Sequence, residues 1–471
     1  MSRYRVVWVR TLVGMLMVGA IVFAGKQLSS MSKGTIPDIY PATPIDVSSS
    51  GSLASTIPAP SLTPTPTLSP APTPRIYVAT NGLPSNDGSA GSPIDLATAV
   101  SPSGPVRPGD TVQLSGGIYR YSSVAFAPAG SGPTGLTVFK AAPASRVIIT
   151  SPSDTPPNIY TSDYVRLDGL WFGGTRQTSD LTGIYTGGNP ISHWVQIVNC
   201  TIWGYYGAVK SGSQEYGLYQ GNRFVRTGGG TLFHALYISS NEPFPGPPGT
   251  ATQHNIVDNN CFVAGGGGYA IHCYHNNHTN IITRNAVFQH RMGIVHDGSD
   301  ALIANNLVWN TAEEAMWVTA KNSIVINNIF GDNAFFFNFA SGDTVSKNAF
   351  EPDHPSRGLN VISLLPGQEQ AQIGLSAAAI NTAISSLDTA FSQSVDAILV
   401  DSTIEPNFAT LMNITVPVGS PLYRTGIPWY DSSPINIGPN SAAPLTVDAF
   451  WTAFRALGLK EYDSSGNIRA E

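Results

Sequence analysis

The sequence predicts an all-β solenoid whose coils each take about 22 residues. Three observations predict it. An Asn just ahead of apolar residues returns at a nearly constant interval. A second apolar position, about ten residues downstream, keeps the same pace. Only 11% of the 471 residues are charged, against roughly 25% in an ordinary soluble domain, and that excludes an all-helical protein, whose exposed faces need Lys, Glu and Arg.

The first position runs through Asn222, Asn260, Asn285, Asn306, Asn328 and Asn348, with Cys200 in the same slot one coil earlier; the steps are 22, 38, 25, 21, 22 and 20 residues. The second runs through Ile184, Val209, Leu236, Ile271, Ile294, Met316 and Phe337, with steps of 25, 27, 35, 23, 22 and 21. Both absorb the same insertion, which falls in the Pro- and Gly-rich stretch 241–249 and reads as a loop out of one coil. A β-sandwich would show strand periods of roughly 8–12 residues without this longer one. Because an Asn side chain both donates and accepts, Asn at one turn of every coil can bond to its neighbours up and down the stack. Stacked coils also explain the low charge, since identical slots would place like charges about 4.8 Å apart.

Taken in order, Arg3, Arg5 and Arg10 precede an apolar run from Leu12 to Ala24, so residues 1–34 read as a signal peptide or membrane anchor. The run is shorter than the ~20 residues that span a bilayer, which favours the signal. Residues 35–75, rich in Pro, Ser and Thr, read as a semi-rigid polyproline II linker and, with the N-terminus, as a membrane or cell-wall tether. The rest is expected to be secreted or extracellular. The solenoid is assigned to 76–440, with a C-terminal helical cap and tail over 441–471. Amphipathic patterns over Ser376–Phe391 and Val447–Leu457 read as helices that cover the last apolar coil. Cys200, Cys261 and Cys273 read as buried apolar residues, with one disulfide at most. A net charge of −6 without a basic block excludes nucleic acid as the partner.

Several segments resemble the extracellular right-handed parallel β-helix proteins of the pectate-lyase-like superfamily. They are Tyr77-Val78-Ala79-Thr80-Asn81-Gly82, Arg107-Pro108-Gly109-Asp110-Thr111-Val112 with Gly116-Gly117-Ile118-Tyr119, Tyr164 to Phe172, and Gly419-Ser420-Pro421-Leu422. The resemblance runs from about Tyr77 to Gly438. It implies a right-handed parallel β-helix with an N-terminal cap, and enzymes on extracellular polysaccharide: chiefly lyases of uronate-containing glycans, with hydrolases, epimerases and non-catalytic surface proteins among them. The paired-Asp and Gly-His-Gly signature of the polygalacturonase-like hydrolases is missing, as is the Arg-x-Pro-x-x-Arg of the pectate lyases proper.

Seven of the nine histidines lie between His234 and His296. His275, His278 and His290 read as solvated turn residues. If the second register faces inward, alternation turns the next residue outward. One outer column then reads Tyr185, Lys210, Tyr237, His272, Val295, Trp317, Asn338, and a second reads Gly212, Ser239, Tyr274, Asp297, Thr319. Such a patch holds what β-elimination of a uronate requires. Lys210 neutralises the carboxylate or acts as base, His272 takes the proton, and Tyr237 protonates the leaving oxygen. His234 would orient Tyr237, and Arg291, Tyr274, Asp297 and Trp317 would bind substrate. A hydrolase would need two carboxylates ~5–5.5 Å or ~6.5–9.5 Å apart. Asp297, Asp300, Glu313 and Glu314 are the candidates, and the same four are the candidate calcium ligands, calcium being the cofactor that the resemblance implies. Trp171, Trp194, Trp203, Tyr205, Tyr206 and Trp309 serve packing or sugar stacking. Nine Lys and Arg against twelve Asp and Glu between 160 and 350 weigh against a polyanion grip. The reading is a secreted polysaccharide lyase; the alternatives are a glycoside hydrolase of the same fold and a non-catalytic glycan-binding or cell-surface structural protein.

Overall fold

Each coil folds into three short strands, and every strand pairs in parallel with its counterparts in the neighbouring coils. Among the described residues the result is three parallel sheets of 11, 13 and 11 strands, the parallel β-helix. The first sheet runs from Ile76–Val78 to Thr344–Ser346, the second from Ser123–Phe126 to Val361–Ser363, and the third from Gly117–Arg120 to Ile373–Gly374. The computed structural model describes residues 75–153, 155–174, 182–186, 192–228, 233–239, 252–319, 321–331, 335–338, 343–350, 361–363, 373–374, 429–430 and 445–461. The signal or anchor, the linker up to residue 74, the loop 241–249, the helix expected over 376–391 and the closing segment 419–422 lie outside the described residues.

The corner between the first and third sheets shows why the repeat contains Asn pairs. One residue there, Asn199, Asn259, Asn305 or Asn327 among others, has φ between 52° and 58°, a left-handed conformation that Asn tolerates better than most residues. The next residue is the buried ladder Asn. Oδ1 of Asn285 accepts from the Asn260 backbone N–H (3.0 Å) and from Asn260 Nδ2 (2.9 Å). Its own Nδ2 donates to Val257 O and Asn306 Oδ1. The pattern holds from Asn222 to Asn348, and the Cys200 N–H enters it by donating to Asn222 Oδ1. A second ladder at another corner uses Asn255 and Asn280, then Ser323 and Asp343.

Inside the coils one continuous apolar core extends from Val78 to Val345, with Phe224 and Phe262 stacked face to face at 4.5 Å. All three cysteines are free and buried. At the N-terminal end, helix Leu96–Val100 packs its buried Leu96 and Ala99 on this core, capped by Asp95, whose carboxylate accepts the Thr98 N–H.

Helix Val447–Ala456 forms as expected, with Thr446 as its N-cap and Gly458 just past its end. It covers a flank rather than the last coil. Phe450, Trp451 and Phe454 pack on Leu218, Ile256, Ile281, Leu302 and Ile326, the outward residues of the first sheet. An apolar stripe on the outside of a sheet needs a cover as much as an open end does. Beneath the helix, Arg284 binds Asp258 through two hydrogen bonds of 2.7 and 2.6 Å, both residues buried. Among the described residues no helix is long and apolar enough to cross a membrane.

Candidate functional site

Strand alternation on the second sheet places Tyr160, Tyr185, Lys210, Tyr237, His272, Val295 and Trp317 in one outward column, each paired with the next across the coils. Their inward partners, Ile184, Val209, Leu236, Ile271, Ile294 and Met316, are buried. Beyond Trp317 the expected order slips by one: Met316 pairs with Phe336 and Trp317 with Phe337, not Asn338, because a bulge between Glu314 and Met316 inserts an extra residue. The second expected column is also interrupted. Ser239 pairs with Tyr274, but a register shift between Cys273 and Asn277 follows directly.

A further outward column comes from the corner before each strand. Ala208, Ala235, Ala270 and Ala315 turn into the core alongside the inward residue that follows each of them. The residue before each of the last three therefore faces out, which brings His234, Tyr269 and Glu314 beside the Tyr237–Trp317 column, with Met292 paired to Tyr269. His234 Nδ1 accepts the Tyr269 backbone N–H at 2.9 Å, so its proton sits on Nε2. Gly268 makes this approach available, since a Cβ there would lie 2.6 Å from that nitrogen. Burial, with His290 nearby, pushes the His234 pKa down to about 4.

His272 sits among four rings. Its centroid lies 3.8 Å from His234, 4.8 Å from Tyr237, 5.3 Å from Tyr269 and 5.2 Å from Tyr274. His234 also stacks on Tyr237 at 5.3 Å and contacts it by ring packing. Lys210 Nζ stands 5.7 Å over the Tyr185 ring. Burial raises the Tyr269 phenol, with Glu314 and Glu313 adding to it, and burial with Asp297 raises that of Tyr274. Tyr237, His272, His234 and Tyr274 therefore lie together, with Lys210 one coil before Tyr237 and its Nζ over Tyr185.

The four carboxylates do not. Asp297 accepts a hydrogen bond from Thr319 Oγ1 at 2.9 Å, just past the end of strand Glu314–Val318, whereas Glu314 stands at the opposite end of that strand. Asp300 is buried at a corner. Arg291 is held by Glu313, Nε to Oε1 at 2.8 Å. Burial raises the Glu314 carboxyl, and Oε2 of Glu314 is buried without a hydrogen-bond partner. Among the described residues no group of three or more His, Cys, Asp or Glu is placed to hold a metal ion. His278 and His290 are not solvated turn residues. His278 closes strand Tyr269–His278, and buried His290 binds the Gly268 carbonyl through Nδ1. The side chain of His275 lies outside the described residues. Tyr205 and Trp309 are packing residues, both buried.

Fold and site together define a parallel β-helix protein with an aromatic, histidine-bearing outer face. The family model described as "Periplasmic copper-binding protein (NosD)" matches residues 248–365. No curated protein sequence matches the chain. Among solved structures, pectate lyase Pel9A is 16% identical and aligns over 78% of this chain and 96% of its own, with a TM-score of 0.45. XylC in complex with xylose is 11% identical over 59% of this chain and 68% of its own, TM-score 0.42. An alginate lyase from Paenibacillus sp. str. FPU-7 is 16% identical over 57% and 95%, TM-score 0.38.

Proposed function

We propose that this protein acts on an extracellular polysaccharide, cleaving a uronate-containing chain by β-elimination on the outer face of the second sheet. The observation that carries the reading is the pairing of Lys210 with Tyr237 and of Tyr237 with His272 in consecutive coils, about 4.8 Å apart. Lys210 neutralises the sugar carboxylate and so acidifies the adjacent C–H. His272 takes that proton, the electron pair forms the ring double bond, and the glycosidic C–O bond breaks as Tyr237 protonates the leaving oxygen. His234 stays neutral behind His272, where a second positive charge would oppose protonation of the base. Tyr160 and Tyr185 extend the same column and offer ring faces to neighbouring sugars. A basic N-terminus ahead of an apolar run supports a location outside the cytoplasm.

A second reading, a non-catalytic glycan-binding protein, draws support from Arg291, whose engagement by Glu313 leaves Lys210 as the cation of this column. The full chain incubated with polygalacturonate, alginate and neutral glycans separates the readings. Unsaturated-uronate absorbance with new reducing ends, lost in His272→Ala, supports the lyase. Reducing ends without that absorbance indicate a hydrolase, and binding without either product indicates the non-catalytic protein.

A further inference from the structure

Buried His290 has no part in the β-elimination reading, yet it is bonded to the site. It precedes Met292, the partner of Tyr269 in the next coil, and its Nδ1 lies 3.0 Å from the Gly268 carbonyl oxygen. A carbonyl only accepts, so Nδ1 carries the proton of this ring. The same peptide unit is bonded at its other end. Its N–H, that of Tyr269, donates to His234 Nδ1 at 2.9 Å, which leaves the His234 proton on Nε2. One peptide thus joins two imidazoles of opposite tautomer, from His290 Nδ1–H through the Gly268 carbonyl and the Tyr269 N–H to His234 Nδ1. An amide that accepts at its oxygen while donating at its nitrogen is polarised, and each bond strengthens the other.

A corner of glycines makes this chain of bonds possible. Gly265 to Gly268 join strand Cys261–Val263 to strand Tyr269–His278. A Cβ at Gly265 would overlap the His290 ring, and one at Gly268 would crowd His234 Nδ1. Two successive residues of the next coil hold the corner: His290 at the Gly268 carbonyl, and Arg291, whose Nη1 donates to the Gly267 carbonyl at 3.4 Å while Glu313 accepts from its Nε. The rings packed against His234 are those of Tyr237, Tyr269 and His272, at 5.3, 5.8 and 3.8 Å. Burial is the first cause of its low pKa and the neighbouring His290 the second.

We infer that His290 is a positioning residue of this site: through the Gly268–Tyr269 peptide it fixes the plane and tautomer of His234, and so the stack that His234 makes with His272. In its other tautomer His234 would set an Nδ1–H against the Tyr269 N–H, donor facing donor, and that buried N–H would lose its acceptor. The effect on turnover rests on the β-elimination reading; the tautomers do not.

The test is imidazole nitrogen NMR of the full-length chain with labelled histidine, each signal assigned by substitution, together with turnover of polygalacturonate and alginate. At neutral pH the wild type should show His290 protonated on Nδ1 and His234 on Nε2. His290→Leu removes the donor, so His234 should exchange between tautomers and its pKa should rise above its value of about 4. In the same variant kcat should fall on the order of tenfold while KM stays within about twofold, because a buried His290 displaces a neighbour of the base and not a sugar contact. His290→Asn, whose amide can donate where Nδ1 did, should restore the His234 tautomer and most of the lost kcat. A wild-type His290 protonated on Nε2 overturns the inference whether or not His290→Leu folds. An unchanged His234 tautomer and pKa in folded His290→Leu, or equal losses in the Leu and Asn variants, overturns it too. A chain that turns over no uronate polymer refutes the lyase reading alone, and the tautomers still decide the role of His290.

Discussion

His234 and His272 lie ring on ring, centroids 3.8 Å apart and planes 14° from parallel, and only His234 has its Nδ1 committed to a backbone N–H, that of Tyr269. Two stacked imidazoles cannot both be charged without a large repulsion. Burial holds the His234 pKa near 4, so the proposed base, His272, does not face a charged imidazole. Imidazole NMR should find His234 neutral, with its proton on Nε2, at pH 6; a protonated His234 at that pH sinks the assignment. His234→Ala should lower kcat by tenfold or more while costing roughly 1–3 kcal/mol of stability, because it leaves the buried Tyr269 N–H without an acceptor.

Burial also pushes His290 to about 4 and His296 to about 3. Both are neutral when folded and titrate near 6.5 when unfolded, so below that pH the unfolded chain binds more protons. Their contribution is therefore complete above pH 6.5 and is lost as pH falls toward 4, by about 1 kcal/mol per pH unit for each histidine. Melting curves from pH 7.5 to 4.5 should show a falling midpoint, and His290→Asn should reduce its slope. A midpoint that rises on acidification contradicts the neutral assignments.

The coil repeat was legible because Asn at a ladder position has no good substitute, so the period is written in a residue type. The Lys210–Tyr237–His272 column followed from that period and strand alternation alone. His234, Tyr269 and Glu314 resisted the same logic because Ala235, Ala270 and Ala315 occupy the inside of a corner, where two successive residues face the core. A small residue before each inward apolar one was the available signal. The slip at Phe336 arose from a bulge, which changes residue count without changing composition. The flank position of helix Val447–Ala456 could have been read from Leu218, Ile256, Ile281 and Leu302, apolar at outward positions of the first sheet where water would otherwise reach them. Asp297, Asp300, Glu313 and Glu314 were grouped because their coils adjoin, and adjacency of coils does not fix where along a strand each carboxylate stands.

Asn285 makes four side-chain hydrogen bonds inside the stack. Asn285→Ala removes all four and strands the buried Asn260 N–H and Val257 carbonyl, at roughly 2–5 kcal/mol in total. Asn285→Asp keeps the accepting oxygen but loses the donor and buries a charge, so it should be no better. Denaturant midpoints of both variants should fall well below the wild type; a shift within ~0.5 kcal/mol would show that the ladder is dispensable.

Phe450 covers the buried Arg284–Asp258 pair, with its ring 5.8 Å from the guanidinium carbon. A buried pair loses little when both partners are replaced by apolar residues of similar volume, but removing one leaves an uncompensated charge at roughly 3–5 kcal/mol. Asp258→Leu should therefore destabilise strongly, and Asp258→Leu with Arg284→Met should recover much of the loss. Phe450→Ala opens a cavity of aromatic size over the pair and should cost about 3–5 kcal/mol. Because Trp451 and Phe454 lie on the same helix, its loss would expose Leu218, Ile256, Ile281, Leu302 and Ile326 together, a patch that drives self-association. Phe450→Ala should thus speed proteolysis between 445 and 461 and produce concentration-dependent aggregation in light scattering. A monomeric variant with unchanged cleavage would mean that the stripe is stable without its helix.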